Sequence, residues 1–128
     1  MKVKVKDVPP GRLLSIHPQT TVAEVARLMR LEDRDAVAVM DKNRLLGIVT
    51  EKDLVQAIAD GVNPQQAKAE VIMTADPATV GADEDVGVVA VKMTRLGVRH
   101  LPVVNQDGEP VGLLSARDLL AVLDRGGV

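Results

Sequence analysis

Apolar residues recur along the chain with two periods. Val22, Val25, Ala26 and Met29 are spaced i, i+3, i+4, i+7, and Val86, Val89, Ala90 and Met93 repeat that spacing, so each set predicts a helix with one buried face. Thr21 with Glu24 has the form of a capping box for the first helix, and Asp85 is placed to cap the second, with Gly87 a weak spot inside it. After each helix come two short apolar runs, AVAVM and LLGIVT in the first half, LPVVN and PVGLLS in the second. Their length and branched side chains predict strands. The Asp-Gly of NQDGEP predicts a hairpin turn, and Lys42-Asn43 stands in the same place in the first half. A closing helix is expected to start at Thr50 or Ser115 and stop at Gly61 or Gly126. Asn63, Pro64 and Gln66 read as the N-cap, N1 and N3 of a short linking helix that ends before VIMTADP.

The two halves are copies. GIVTEKDL at 47–54 returns as GLLSARDL at 112–119, a register of 65 residues (112 − 47 and 118 − 53). The helical positions upstream match at 64 (86 − 22), so one residue is gained between them, and a glycine closing the second helix, Gly97, marks the expected place. Repeat one is assigned residues 1–61, a linker with a short helix 62–70, and repeat two 71–128. Each repeat reads as a βαββα unit too small to bury its own sheet. The expected fold is therefore α/β (α+β), two such units packed through their sheets about a pseudo-twofold axis.

Composition narrows the chemistry. The chain of 128 residues has 46% apolar residues but no Phe, Trp, Tyr or Cys. The core must be aliphatic, and aromatic stacking platforms, disulfides, thiolate metal sites and cysteine nucleophiles are excluded. Sixteen basic against eighteen acidic residues give a net charge of -2, and no basic block or stacking ring suits nucleic acid. MKVKVKDV lacks the apolar stretch of a signal peptide, and no run approaches the about 18 apolar residues of a membrane span. A cytoplasmic location without membrane association is the expectation. His17 and His100 are the only histidines, too few donors for a metal centre. His17 reads as a loop residue.

VIMTADPATVGADEDV followed by RHLPVVNQDGEPVGLLSARDL resembles a cystathionine-β-synthase-type (CBS) domain, and the first half resembles a second, more diverged copy. Together they are similar to a Bateman module. That resemblance implies two clefts between the repeats that bind an adenosyl ligand (AMP, ADP, ATP or S-adenosylmethionine), a regulatory role toward an attached or partner protein, and a homodimer.

The acids of the repeated motif have two readings. Thr50 with Asp53, and Ser115 with Asp118, have the spacing of a helix capping box. Held on a first helical turn, the same carboxylates can accept both hydroxyls of a ribose cis-diol. A phosphate would be drawn to the helix N-terminus, but the Asp on that turn opposes it, so a cation must help. Arg99 and His100 stand ahead of LPVV, Arg34 is taken as the counterpart of Arg99, and Lys52 and Arg117 directly precede the two acids. Each could equally be a solvated surface cation. The resemblance places Ile48 and Leu113 beside the base, with Ile16 and Val80 completing its walls, unless all four are simply core. It also implies that Asp118 shares a cleft with Ile16 and Arg34, and Asp53 with Val80, Arg99 and His100. In the 65-residue register Val37 stands where the pattern expects proline, and Asp35 opposes His100.

The function expected is thus a stand-alone regulatory sensor of an adenosyl ligand, without a catalytic cofactor. Nucleophilic catalysis needs a base and an orienting acid beside the nucleophile, and Ser15 and Ser115 each sit where structure or ribose binding already explains them, so the chain is not expected to be an enzyme. The alternative is a ligand-free dimerisation or protein-interaction module.

Overall fold

The computed structural model describes residues 3–9 and 12–124. Gly126, the expected stop of the last helix, lies outside them. The chain divides into two compact units, the first Leu14–Pro77, the second everything from Ala78 onward together with the segment before Leu14. In the first unit the elements are β1 (Ser15–Ile16), α1 (Val22–Leu31), β2 (Ala36–Asp41), β3 (Arg44–Thr50), α2 (Glu51–Ala59), α3 (Ala69–Ile72) and β4 (Thr74–Ala75). In the second they are β5 (Val80–Gly81), α4 (Val86–Leu96), β6 (His100–Val104), β7 (Pro110–Ser115) and α5 (Ala116–Asp124). The first sheet runs β1-β2-β3-β4 and the second β5-β6-β7, parallel between the first two strands of each and antiparallel thereafter.

Both helices begin as the pattern predicts. Thr21 accepts from the Glu24 amide at 3.2 Å and Asp85 from the Gly87 amide at 2.7 Å. Glu24 does not complete the box, because its carboxylate pairs with Arg27 one turn on. Val22, Val25 and Met29 are buried, as are Val86, Val89 and Met93; Ala26, expected on the same face, is exposed. The linking helix is displaced from its expected place. Asn63 starts a single turn, its side chain accepting from the Gln65 amide at 3.0 Å, and the helix proper is α3, further on.

The residue gained between the repeats lies elsewhere than expected. Ala36 pairs with Thr50 and His100 with Ser115, so β2 and β6 still match at 64. Asp33, at φ 52°, already occupies the left-handed position that Gly97 fills at φ 68°. The Arg34 and Val98 amides close the two helices with identical bonds to Met29 and Met93. The extra residue is in the hairpin. Asp41 pairs with Arg44 around Lys42-Asn43, both at positive φ, whereas the Asn105 amide reaches the Glu109 carbonyl around three residues ending in Gly108 at φ 79°. Three counterparts change: Pro102 answers to Ala38 rather than Val37, His100 to Ala36 rather than Asp35, and Arg99 to Asp35 rather than Arg34.

The 64-residue match also extends back to the N-terminus. The Val86 amide donates to the Val3 carbonyl and the Val5 amide to the Glu84 carbonyl, each at 2.9 Å. In the first unit the Val22 amide donates to Ala67 at 2.9 Å and the Ala69 amide to Thr20 at 2.7 Å. Residues 3–9 thus do for the second unit what 67–73 do for the first. The division in space therefore differs from the repeat boundaries along the chain, since residues 3–9 pack with repeat two and 71–77 with repeat one.

At the edge of the first sheet β4 lies against β3, Gly47 opposite Ala75 and Ile48 opposite Thr74. A Cβ on Gly47 would sit 2.6 Å from the Met73 sulfur and 2.7 Å from the Thr74 carbonyl oxygen. The sulfur can swing away, but the carbonyl is backbone. Gly47→Ala is therefore expected to cost about 1–3 kcal/mol as β4 is pushed off, read as a lower midpoint in urea by circular dichroism. A midpoint equal to wild type would mean that β4 yields freely.

Candidate functional site

Each repeat carries its acid where a strand turns into a helix. In the second unit the Ser115 amide donates to Asp118 Oδ2 at 2.8 Å, and the Asp118 amide donates to the Ser115 hydroxyl at 3.1 Å. In the first the Thr50 amide donates to Asp53 Oδ2 at 2.8 Å, the Asp53 amide returns to the Thr50 hydroxyl at 3.4 Å, and that hydroxyl also donates to Oδ2 at 3.1 Å. Both acids are therefore capping-box residues. The cap uses one carboxylate oxygen in each, and Oδ1 has no hydrogen-bond partner among the described residues. Asp53 Oδ2 accepts twice and is saturated, whereas Asp118 Oδ2 accepts once, so Asp118 keeps more acceptor capacity.

Strand register decides what stands beside each acid. In the second unit His100 is opposite Ser115, and the Ala116 amide donates to the Arg99 carbonyl at 2.8 Å. At the equivalent place in the first unit Ala36 is opposite Thr50, and the Glu51 amide donates to the Asp35 carbonyl at 3.1 Å. The junction of the second unit is thus flanked by Arg99 and a histidine, that of the first by a further carboxylate and an alanine. Arg34, half-buried, stands one residue before Asp35; Lys52, Arg99 and Arg117 are exposed.

The second unit also contains a cavity of about 270 Å³ lined by Val5, Lys6, Val8, Ala82, Val103 and Val111–Leu114. Its wall is almost wholly aliphatic, as the composition requires. Among the described residues that line it Lys6 is the one cation, and its ammonium lies 3.1 Å from the Asp83 carboxylate. The hydrogen bond from Lys6, and then its charge, hold the Asp83 carboxyl below its ordinary pKa. Leu113 and Ser115 are alternate residues of β7, so they share a face about 7 Å apart. One strand therefore carries the cavity wall and the start of the Asp118 turn.

Of the four residues expected to hold a base, Leu113 alone lines the cavity. Ile16 and Val80 belong to the cores of the first and second units, and Ile48 is 5% exposed in β3. Val5, Lys6 and Val8 escape the sequence reading, although a signal for them exists: continuing the 64-residue match back from Ile16 aligns residues 3–9 with 67–73. His17 is a loop residue whose Nδ1 accepts from the Gln19 amide at 3.1 Å.

Comparison with known proteins agrees with this fold. The family model described as CBS domain matches residues 5–60 and again 68–125. A 17.7 kDa protein of Acidianus ambivalens is 32% identical over 124 residues, 96% of this chain and 74% of that protein. The chain spans 62% of a relative from Methanopyrus kandleri and 21% of one from Arabidopsis thaliana, a CBS domain-containing protein. Among solved structures, the CBS domain pair of protein MJ0100, in complex with 5'-methylthioadenosine and S-adenosyl-L-methionine, superposes with a TM-score of 0.90 at 25% identity, covering 98% of this chain and 99% of that one. A CBS domain protein of Pyrobaculum aerophilum complexed with AMP superposes with a TM-score of 0.87 at 29% identity, covering 96% and 97%.

Proposed function

The chain belongs to the CBS domain family, and from that membership we propose that it is a regulatory module that binds an adenosyl ligand and does no chemistry on it. The observation that carries the reading is the second unit's β7. It presents Leu113 in an aliphatic cavity and, about 7 Å further along the same face, the Ser115 and Asp118 turn with an uncommitted carboxylate oxygen. The cavity receives the base, between side chains in place of aromatic rings. Asp118 accepts the ribose hydroxyls. The resemblance implies that Arg99 and His100 serve the cleft of Asp53, but because they flank the Ser115 junction they are assigned, with Arg117 and Lys6, to the phosphate of the ligand at Asp118. Thr50, Asp53, Ile48, Lys52, Arg34, Ile16 and Val80 make up the remainder of the proposed set. The two solved CBS structures that hold adenosyl compounds support the ligand class.

Because the chain has no Trp, Tyr or Cys, it scarcely absorbs at 280 nm, and a band near 260 nm in purified protein reports retained nucleotide directly. Calorimetric titration with AMP, ADP, ATP and S-adenosylmethionine is expected to give a saturable heat with at least one of them. No heat with any would refute the adenosyl reading. Association of two copies is part of the proposal, supported by Val55 and Ile58 on α2 and Val88 and Val91 on α4, all at least half exposed. Sedimentation equilibrium checks it, a monomer at all concentrations being the contrary result.

A further inference from the structure

We propose that two copies of the chain associate through α4 of the second unit, the helix of one copy lying antiparallel on the same helix of the other about a twofold axis. The inference rests on the association of two copies proposed above and adds to it which face makes the contact and in what register.

α4 has two faces. Val86, Val89 and Met93 point into the core of the second unit. On the opposite side of the helix are Val88, Val91 and Arg95, spaced i, i+3, i+7, and Glu84 stands four residues before Val88, at the entry to the helix. Val88 and Val91 are at least half exposed, and Arg95 is exposed. Arg95 has no hydrogen bond or ion pair among the described residues, whereas Lys92, the other cation of α4, donates to the Thr79 carbonyl of its own unit at 2.7 Å. Glu84 Oε2 accepts from the Gly81 amide at 2.6 Å, which holds the carboxylate and leaves Oε1 without a partner among the described residues.

This order of residues is complementary to itself. In a twofold contact residue i meets j and j meets i, so in antiparallel helices centred between Val89 and Ala90, residues equally far from that centre face each other. Val88 then meets the second copy's Val91, and Glu84 meets its Arg95, each pair occurring twice. Apolar pairs stand in the middle and an ion pair at either end, the apolar centre and polar rim of an association surface. The equivalent helix of the first unit lacks the pattern. In the 64-residue match Val88 answers to Glu24, Val91 to Arg27, Arg95 to Leu31 and Glu84 to Thr20. Glu24 and Arg27 pair with each other within α1, so the middle of that face is charged and its ends carry no complementary ions. α2 exposes Val55 and Ile58, but no basic residue in its last turn could meet Glu51 of another copy.

Exchanging the charges across the twofold tests the register. Sedimentation equilibrium of wild type is expected to show a dimer. Arg95→Glu sets two carboxylates against each other at both ends of the contact and is expected to raise the dissociation constant by about 10-fold. Glu84→Lys should do the same with two cations, and Glu84→Lys/Arg95→Glu, in which the pair is reversed, should return toward wild type. Val88→Glu/Val91→Arg gives α4 the ion pair that α1 already carries at the matching places. It is therefore expected to fold, as checked by circular dichroism, and to stay monomeric at concentrations where wild type is a dimer. Dimerisation of that variant at wild-type strength, or a reversed pair no stronger than either single variant, would overturn the α4 contact and leave association to another face. A wild type that is monomeric at every concentration would end the α4 contact and the association reading together, without bearing on the adenosyl ligand.

Discussion

Replacing Asp118 by alanine is expected to weaken the adenosyl ligand by about 10- to 100-fold, the worth of one charge-assisted hydrogen bond. The same change removes the acceptor of the Ser115 amide, now met at 2.8 Å, and so is expected to cost about 0.5–2 kcal/mol of stability as a lost cap. The two effects are separable. Asp118→Asn keeps an oxygen for the Ser115 amide but loses the charge, so it should nearly restore the melting temperature without restoring affinity. Asp53→Ala removes an equivalent box in the first unit and should lower stability by a similar amount. Calorimetric affinity and thermal melting, measured on all three variants, decide the matter. Equal affinity in wild type and Asp118→Ala would reduce Asp118 to a cap.

Leu101→Ala is expected to have the largest effect on folding. Leu101 is among the largest fully buried side chains and sits in the core of the second unit with Val80, Val89, Met93 and Leu114. A buried Leu→Ala change costs about 2–5 kcal/mol because the cavity it leaves collapses only in part. Domains of this size are stable by about 5–15 kcal/mol, so the loss is a large share of the total. With no aromatic ring to bridge the gap, Met93 is the one long, flexible neighbour among those named, and the others are short branched side chains with little reach. Its counterpart by strand register, Val37, has fewer carbons to lose, and Val37→Ala should cost less. Urea denaturation followed by circular dichroism gives both values. A loss under about 1 kcal/mol for Leu101→Ala would mean that the core repacks.

The difference between the repeats shows where reading along the chain stops being sufficient. The helix starts at Thr21 and Asp85, the turns at Lys42-Asn43 and Asp107-Gly108, and both capping boxes are legible because each is a contact between residues at most a few positions apart. The place of the single inserted residue is not. Between the matched helices and the matched GIVTEKDL and GLLSARDL, a gap near Gly97 and a gap in the hairpin preserve the same apolar pattern. Only the pairing of Ala36 with Thr50 and of His100 with Ser115 separates them. That pairing moves a proline's counterpart from Val37 to Ala38 and sets Asp35 against Arg99, which changes the electrostatics of the site.

The lead-in segments make the same point over a longer range. Nothing local in MKVKVKDV says that Val5 and Val8 join the core of a unit that begins about seventy residues later, or that Lys6 lines its cavity. The two-fold repetition, the aliphatic core, the element order and the two acids at strand-to-helix turns were determined by the sequence alone, through periodicity and short-range hydrogen bonding. Register, the exchange of residues 3–9 to the far repeat, and the thioether of Met73 against Gly47 were decided by tertiary packing, because each is a choice among partners distant in sequence that only shape and burial can make.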